Sequence, residues 1–139
     1  MKVFISYSSA DKKLARRVSD VLKEAGFEVW DDRQIMPGDN WAAEVGKALQ
    51  QAEAMVVLFT PTSLHADHVQ HEISYALGKK DYSGRVIPVL TVPERDLPKD
   101  TFPWILKTFQ QVHLSDYRNE EEGIRKIAEL LQDADLAAS

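Results

Sequence analysis

The stretch HADHVQHEISYALGKK gathers three histidines and two acids into the eight residues from His65 to Glu72, directly ahead of an apolar pattern of helical period. Imidazoles and carboxylates bind metals, carry protons and stabilise developing positive charge. In a helix His68 and Glu72 share a face, and His65 lies one turn further back, so two or three metal ligands could converge. The segment HEISY, however, has Tyr75 where a zinc protease needs its second histidine, and the region reads as metal-free with solvated histidines. Glu72 differs from its neighbours. At 100° per residue, Val69, Ile73, Ala76 and Leu77 form an apolar stripe with Glu72 at its border and His68 and Tyr75 beyond. A carboxylate sheltered in that way is poorly hydrated and acts strongly on a nearby cation. The plainer alternative is a solvated helix glutamate paired with a histidine.

For Glu72 to do chemistry, the chain must bring it to a crevice. Two periods alternate along the sequence: short apolar β-branched runs, and stretches with apolar residues three and four apart. KVFISY is the first strand. Asp11 stands where it can cap a helix with Leu14, Val18, Val21, Leu22 and Ala25 on one face, which Gly26 ends. FEVW is the second strand, and after the loop DDRQIMPGDN either Asp39 or Asn40 caps a helix that turns Val45, Ala48, Leu49 and Ala52 inward. AMVVLFT, the most apolar strand, belongs at the centre of the sheet. ADHVQHEISYALGKK is the third helix, RVIPVLTV the fourth strand, and QQVHLSD an amphipathic fifth strand suited to an edge. PERDLPKDTFPWILK, with three prolines, is a long connection with at most one helical turn, and EEEGIRKIAELLQD closes the chain as a helix. Residues 1–133 make one domain, and 134–139 are expected to fray.

Helices between strands impose right-handed crossovers, and helices on both faces give a doubly wound, five-stranded parallel sheet of flavodoxin-like order 2-1-3-4-5. Ligands of such sheets settle beyond the carboxyl ends of the strands, where the winding reverses. SYSSAD, DDRQIMPGDN and TPTSLHADH then surround one crevice.

Composition removes several classes of function. The 139 residues are 44% hydrophobic and 28% charged, as in an ordinary soluble domain, and a formal charge of −5 gives no bulk attraction for nucleic acid or anionic membranes. No cysteine is present, which excludes thiolate nucleophiles and disulfides. The apolar run at the start is too short for a signal sequence, no later run reaches membrane-spanning length, and the cytoplasm is the expected location. A receiver domain would need acids after strand one and an aspartate after strand three, where this chain has Ser6-Tyr7-Ser8 and Thr60-Pro61. A P-loop or dinucleotide fingerprint would need clustered glycines after a strand, and SYSSADKK has none. The serines there can donate to a phosphate or ribose at the amino end of the first helix, or serve only as turn and cap residues. Trp30 reads as core, Trp41 as loop packing or crevice wall, and Asp31, Asp32 and Arg33 as a solvated loop mouth.

Taken in order, VFISYSSAD, VWDDRQIMPGD and FTPTSLHADHVQHEI resemble the first box, the second box with its BB loop, and the glutamate segment of the bacterial Toll/interleukin-1 receptor (TIR) domain family. The resemblance covers nearly the whole chain. It implies that Glu72 is catalytic in cleaving the nicotinamide-ribose bond of NAD, giving nicotinamide and ADP-ribose or a cyclised isomer, in bacterial immune defence or signalling. NAD is then a substrate, and no cofactor or metal is expected. Substrate-binding positions under this resemblance are Ser6, Tyr7, Ser8, Asp32, Arg33, Trp41 and His68. The loop residues Ile35, Met36, Pro37, Gly38 and Asp39 are implied to contact other TIR domains in self-association. The chain departs from the family pattern at Ser63, Ala66 and His68, where many members have tyrosine, serine and tryptophan. Two rival readings stay open: a non-catalytic TIR-TIR interaction module, and an enzyme like the nucleoside deoxyribosyltransferases, which share a similar sheet and a catalytic glutamate.

Overall fold

The alternating runs build one parallel sheet. The structure, a computed structural model, describes residues 1–30, 35–61, 67–79, 82, 85–97, 102 and 104–138. Strands β1 (Lys2–Ser6), β2 (Glu28–Trp30), β3 (Ala54–Phe59), β4 (Val86–Leu90) and β5 (Val112–His113) lie in the order β2-β1-β3-β4-β5, with every neighbouring pair parallel. This is the doubly wound, flavodoxin-like order expected from the sequence. β1 and β3 are in register from Val3 opposite Ala54 to Ser6 opposite Val57, and the winding reverses between them.

Helices α1 (Lys12–Glu24) and α4 (Glu120–Ala138) pack on one face of the sheet against Val3, Ile5, Val56 and Leu58. Helices α2 (Trp41–Gln51) and α3 (Asp67–Gly78) pack on the other against Phe4, Met55, Val57 and Phe59. Because β3 is covered on both sides, all six of its residues are buried, which is why its sequence is an unbroken apolar run. Trp30 stacks on Phe4 with ring centroids 5.6 Å apart, closing the second core beside β2.

The buried stripes of two helices are rotated from their expected positions. On α1 they comprise Ala15, Val18, Ser19 and Leu22, while Leu14 and Val21 are half-buried and Ala25 is exposed. On α3 they comprise Val69, Glu72, Ile73 and Ala76, and Leu77 is 39% exposed. Both sets follow the spacing i, i+3, i+4, i+7, so the sheet takes up the narrow face and leaves the flanking apolar residue to solvent. On α3 this turns Glu72 into the interior.

Local chemistry sets the ends of these elements. α1 is preceded by a single 3-10 turn, Ser9–Asp11, whose cap is Ser8, its hydroxyl accepting from the Ala10 N–H at 3.3 Å. Asp11 makes no capping bond; its carboxylate accepts from the Thr60 hydroxyl at 2.7 Å, tying the start of α1 to the end of β3. At the far end of α1, Gly26 takes φ 98°, and Gly26 N–H and Phe27 N–H donate to the Lys23 and Leu22 carbonyls, a Schellman closure. Asn40 caps α2 by accepting from Ala43 N–H at 3.1 Å. The last carbonyls of α2 are met by Tyr82, whose hydroxyl donates to the Leu49 carbonyl at 2.7 Å, and by the Lys79 ammonium on Leu49 and Gln50. α4 runs on to Ala138, beyond the expected end at Asp133, because no breaker interrupts ADLAA. β5 is two residues long and passes directly into the 3-10 turn Leu114–Asp116. No helix among the described residues is long and apolar enough to cross a membrane.

Candidate active site

Ser6 is the last residue of β1 and shares its face with Phe4, so its side chain is delivered to the side of the sheet on which α3 lies. There it meets Glu72, which is only 7% exposed: the Ser6 hydroxyl donates to Glu72 Oε1 at 2.6 Å. One turn earlier on α3, His68 Nε2 lies 2.8 Å from the Tyr7 carbonyl oxygen. A carbonyl can only accept, so Nε2 carries a proton. Two successive residues at the end of β1 thus grip two residues one helical turn apart on α3.

Burial is the main influence on Glu72 and pushes its carboxyl above the ordinary value of 4.5, because the anion loses water. The Ser6 hydrogen bond, and then the charge of His68, act in the opposite direction. The carboxylate is therefore more basic than a surface glutamate but is steadied in its ionised form by one donor and one potential cation.

A cavity of about 270 Å³ opens onto this carboxylate. Glu72 and His68 line it from α3, Phe4, Ile5 and Tyr7 from β1 and its end, Trp30 from β2, and Trp41 and Val45 from α2. Ser9 and Lys12 complete it at the amino end of α1, where helix N–H groups and an ammonium favour an anion. The lining is mostly apolar, with polar groups from α3, Glu72 and His68, and from the α1 terminus, Ser9 and Lys12.

The expected site residues divide clearly. Glu72, His68, Tyr7 and Trp41 come together around the cavity, with Trp41 55% exposed. Ser6 reaches the site through its bond to Glu72. Ser8 is buried as the cap of the 3-10 turn, one of the two roles open to it by sequence, and is not part of the lining. Asp32 and Arg33, like Ser63, His65 and Ala66, lie outside the described residues. Ser9 lines the cavity as one of the SYSSAD serines, whereas Lys12 and Trp30 were not anticipated as lining residues. Lys12 carried a usable signal, since a cation in the first turn after strand one falls beside the winding reversal, whereas Trp30 looked like core because it ends a strand.

Ahead of α2, Met36 to Asp39 form a type II turn. The Asp39 N–H donates to the Met36 carbonyl at 3.0 Å, Pro37 precedes Gly38 at φ 92°, and Asp39 Oδ2 accepts from Met36 N–H at 2.8 Å. The turn projects Met36, 64% exposed, away from the body, while Ile35 is half-buried.

Comparison with known proteins agrees with this architecture. A segment of 86 residues is 27% identical to a 2' cyclic ADP-D-ribose synthase, BtTIR, of Bacteroides thetaiotaomicron, covering 60% of this chain and 30% of that protein. The chain thus spans under a third of that relative's length. Among solved structures, a metazoan TIR-STING receptor from C. gigas is 25% identical with a TM-score of 0.65, over 91% of this chain and 39% of that one. The TIR domains of the activated Roq1 resistosome superpose with a TM-score of 0.71 at 16% identity, over 92% of this chain and 97% of that one. A family model described as TIR domain matches residues 3–130, and this chain belongs to that family.

Proposed function

We propose that this TIR domain cleaves the nicotinamide-ribose bond of NAD, with Glu72 as its catalytic carboxylate. The observation that carries the reading is the buried Glu72 carboxylate, held by Ser6 at 2.6 Å and opening onto an apolar, tryptophan-lined cavity. In NAD the pyridinium nitrogen already bears the positive charge, so nicotinamide departs as a neutral molecule when the bonding pair moves to that nitrogen. No general acid is needed. The charge that remains is on the ribosyl carbon and its ring oxygen, as in glycoside hydrolysis, and a poorly hydrated carboxylate beside the sugar stabilises it. Water, or a group of the same dinucleotide, captures the carbon to give ADP-ribose or a cyclised isomer.

The size of the cavity fits this division of labour. Drug-sized ligands occupy roughly 300–1,000 Å³. A volume of about 270 Å³ admits nicotinamide and its ribose and leaves the adenosine half outside, toward Lys12 or toward a neighbouring copy. The exposed Met36 turn ahead of α2 is suited to supply that neighbour's contact, and the likeness to TIR domains solved within an assembly supports self-association. The similarity to a cyclic ADP-D-ribose synthase supports both the substrate and a cyclised product.

The test is to incubate purified protein with NAD over a range of protein concentrations and to separate the products by chromatography. Equimolar nicotinamide and an ADP-ribose isomer are expected. Intact NAD at every protein concentration would leave the domain as an interaction module.

A further inference from the structure

We propose that His68 is a second catalytic residue, the base that takes the proton from the oxygen nucleophile capturing the ribosyl carbon. The proposal rests on the reading of Glu72 as the site of NAD cleavage. Its geometry, however, is independent of that reading.

The Tyr7 carbonyl holds the His68 Nε2 proton at 2.8 Å, which in the neutral ring leaves the lone pair on Nδ1. Among the described residues Nδ1 has no hydrogen-bond partner, and the ring lines the cavity beside Glu72. The Tyr7 carbonyl from the end of β1 meets the ring, and the charged groups that line the same cavity are Glu72 on its own helix and Lys12 on α1. Because Nε2 is the atom that donates to Tyr7, a proton taken up on Nδ1 leaves that bond in place and breaks no contact. The site therefore holds one residue prepared for the cation and another prepared for the proton released when that cation is captured.

The balance is simple. The carbon-nitrogen bond breaks with both electrons going to nicotinamide. A lone pair of a hydroxyl oxygen, from water or from a ribose hydroxyl of the same molecule, forms the new carbon-oxygen bond. The hydroxyl proton passes to Nδ1 and is later lost to solvent. A nitrogen nucleophile without a proton to lose, such as a pyridine, has no need of this base.

The difference between oxygen and nitrogen capture is the experiment. Wild type and His68→Gln are given NAD together with a neutral pyridine, and oxygen-captured products are measured against the exchanged pyridine dinucleotide. Glutamine can keep an N–H on the Tyr7 carbonyl but has no basic atom. The ratio of oxygen to nitrogen capture should fall roughly tenfold or more in His68→Gln, below the full range of general-base effects because the ribosyl cation is already a strong electrophile. Because the ratio compares two products of the same cleavage, it is read independently of any change in the rate of nicotinamide release. An unchanged ratio with active enzyme overturns the role of His68 and leaves Glu72 untouched, whereas absence of nicotinamide from wild type as well as Glu72→Gln overturns both. A second measurement needs no turnover: the 15N shifts of the neutral His68 ring in the folded protein should show a proton on Nε2 and none on Nδ1, and the opposite tautomer would refute the assignment.

Discussion

At Glu72 the cost of burying a charge competes with one short hydrogen bond, and burial has the larger effect. The folded protein therefore holds the Glu72 proton more tightly than the unfolded chain does. Its contribution favours the fold below the ordinary value of 4.5 and is lost as pH rises through the raised value, so at neutral pH the ionised carboxylate is a net cost. Glu72→Gln, which can still accept from Ser6, should thus be as stable as wild type or more stable by about 1 kcal/mol at pH 7, with the advantage disappearing in acid. Urea denaturation of the two proteins at pH 7 and pH 4 measures this, and a variant less stable at pH 7 would contradict it. The same balance predicts that NAD cleavage falls off in acid at a pH above that of an ordinary glutamate. Ser6→Ala removes a donor to the ionised form, so the acid limb of its pH profile should move further up; a limb that stays in place would mean that Ser6 does not tune Glu72.

The elements around the site are joined at a few points, and the join between Asp11 and Thr60 can be tested directly. It ties the 3-10 turn before α1, and so Ser9 and Lys12, to the end of β3. Thr60→Val should cost about 1 kcal/mol of stability in a denaturant titration. It should also raise KM more than it lowers kcat, because the turn positions Ser9 and Lys12, the end of the cavity suited to an anionic part of the proposed substrate. A change confined to kcat would place that end elsewhere. Legibility from sequence follows the same physics. Strand order and the crevice at the winding reversal were readable because apolar runs and crossover handedness determine them. Helix rotation was not, since the polar Glu72 and Ser19 are buried while the apolar Leu77 and Ala25 are left to solvent, an outcome that only contact with the sheet selects. For that reason the sequence pattern puts Glu72 at a border, whereas the structure holds it in the core. The capping role given to Asp11 failed because Thr60, far away in sequence, competes for its carboxylate.

At the scale of the whole molecule, the cavity is too small for a dinucleotide and the Met36 turn is too exposed to serve the monomer's own core. Activity should consequently rise with protein concentration. Gly38→Trp adds a side chain where no atom lies within 4 Å but where φ is 92°, so it should disturb the turn without disrupting the body. Mixed with Glu72→Gln, this second inactive variant should restore part of the activity, since some junctions would pair an intact turn with an intact carboxylate. No recovery, together with a specific activity independent of concentration, would mean that each copy carries its whole site.

If a single buried carboxylate cleaves NAD, the most direct measurement is the rate of nicotinamide release by wild type and Glu72→Gln at matched, high protein concentration. Release by wild type and its loss by a factor of about a hundred or more in a fully folded Glu72→Gln protein is the result expected when the charge stabilises the transition state. Equal release by the two proteins would contradict the account.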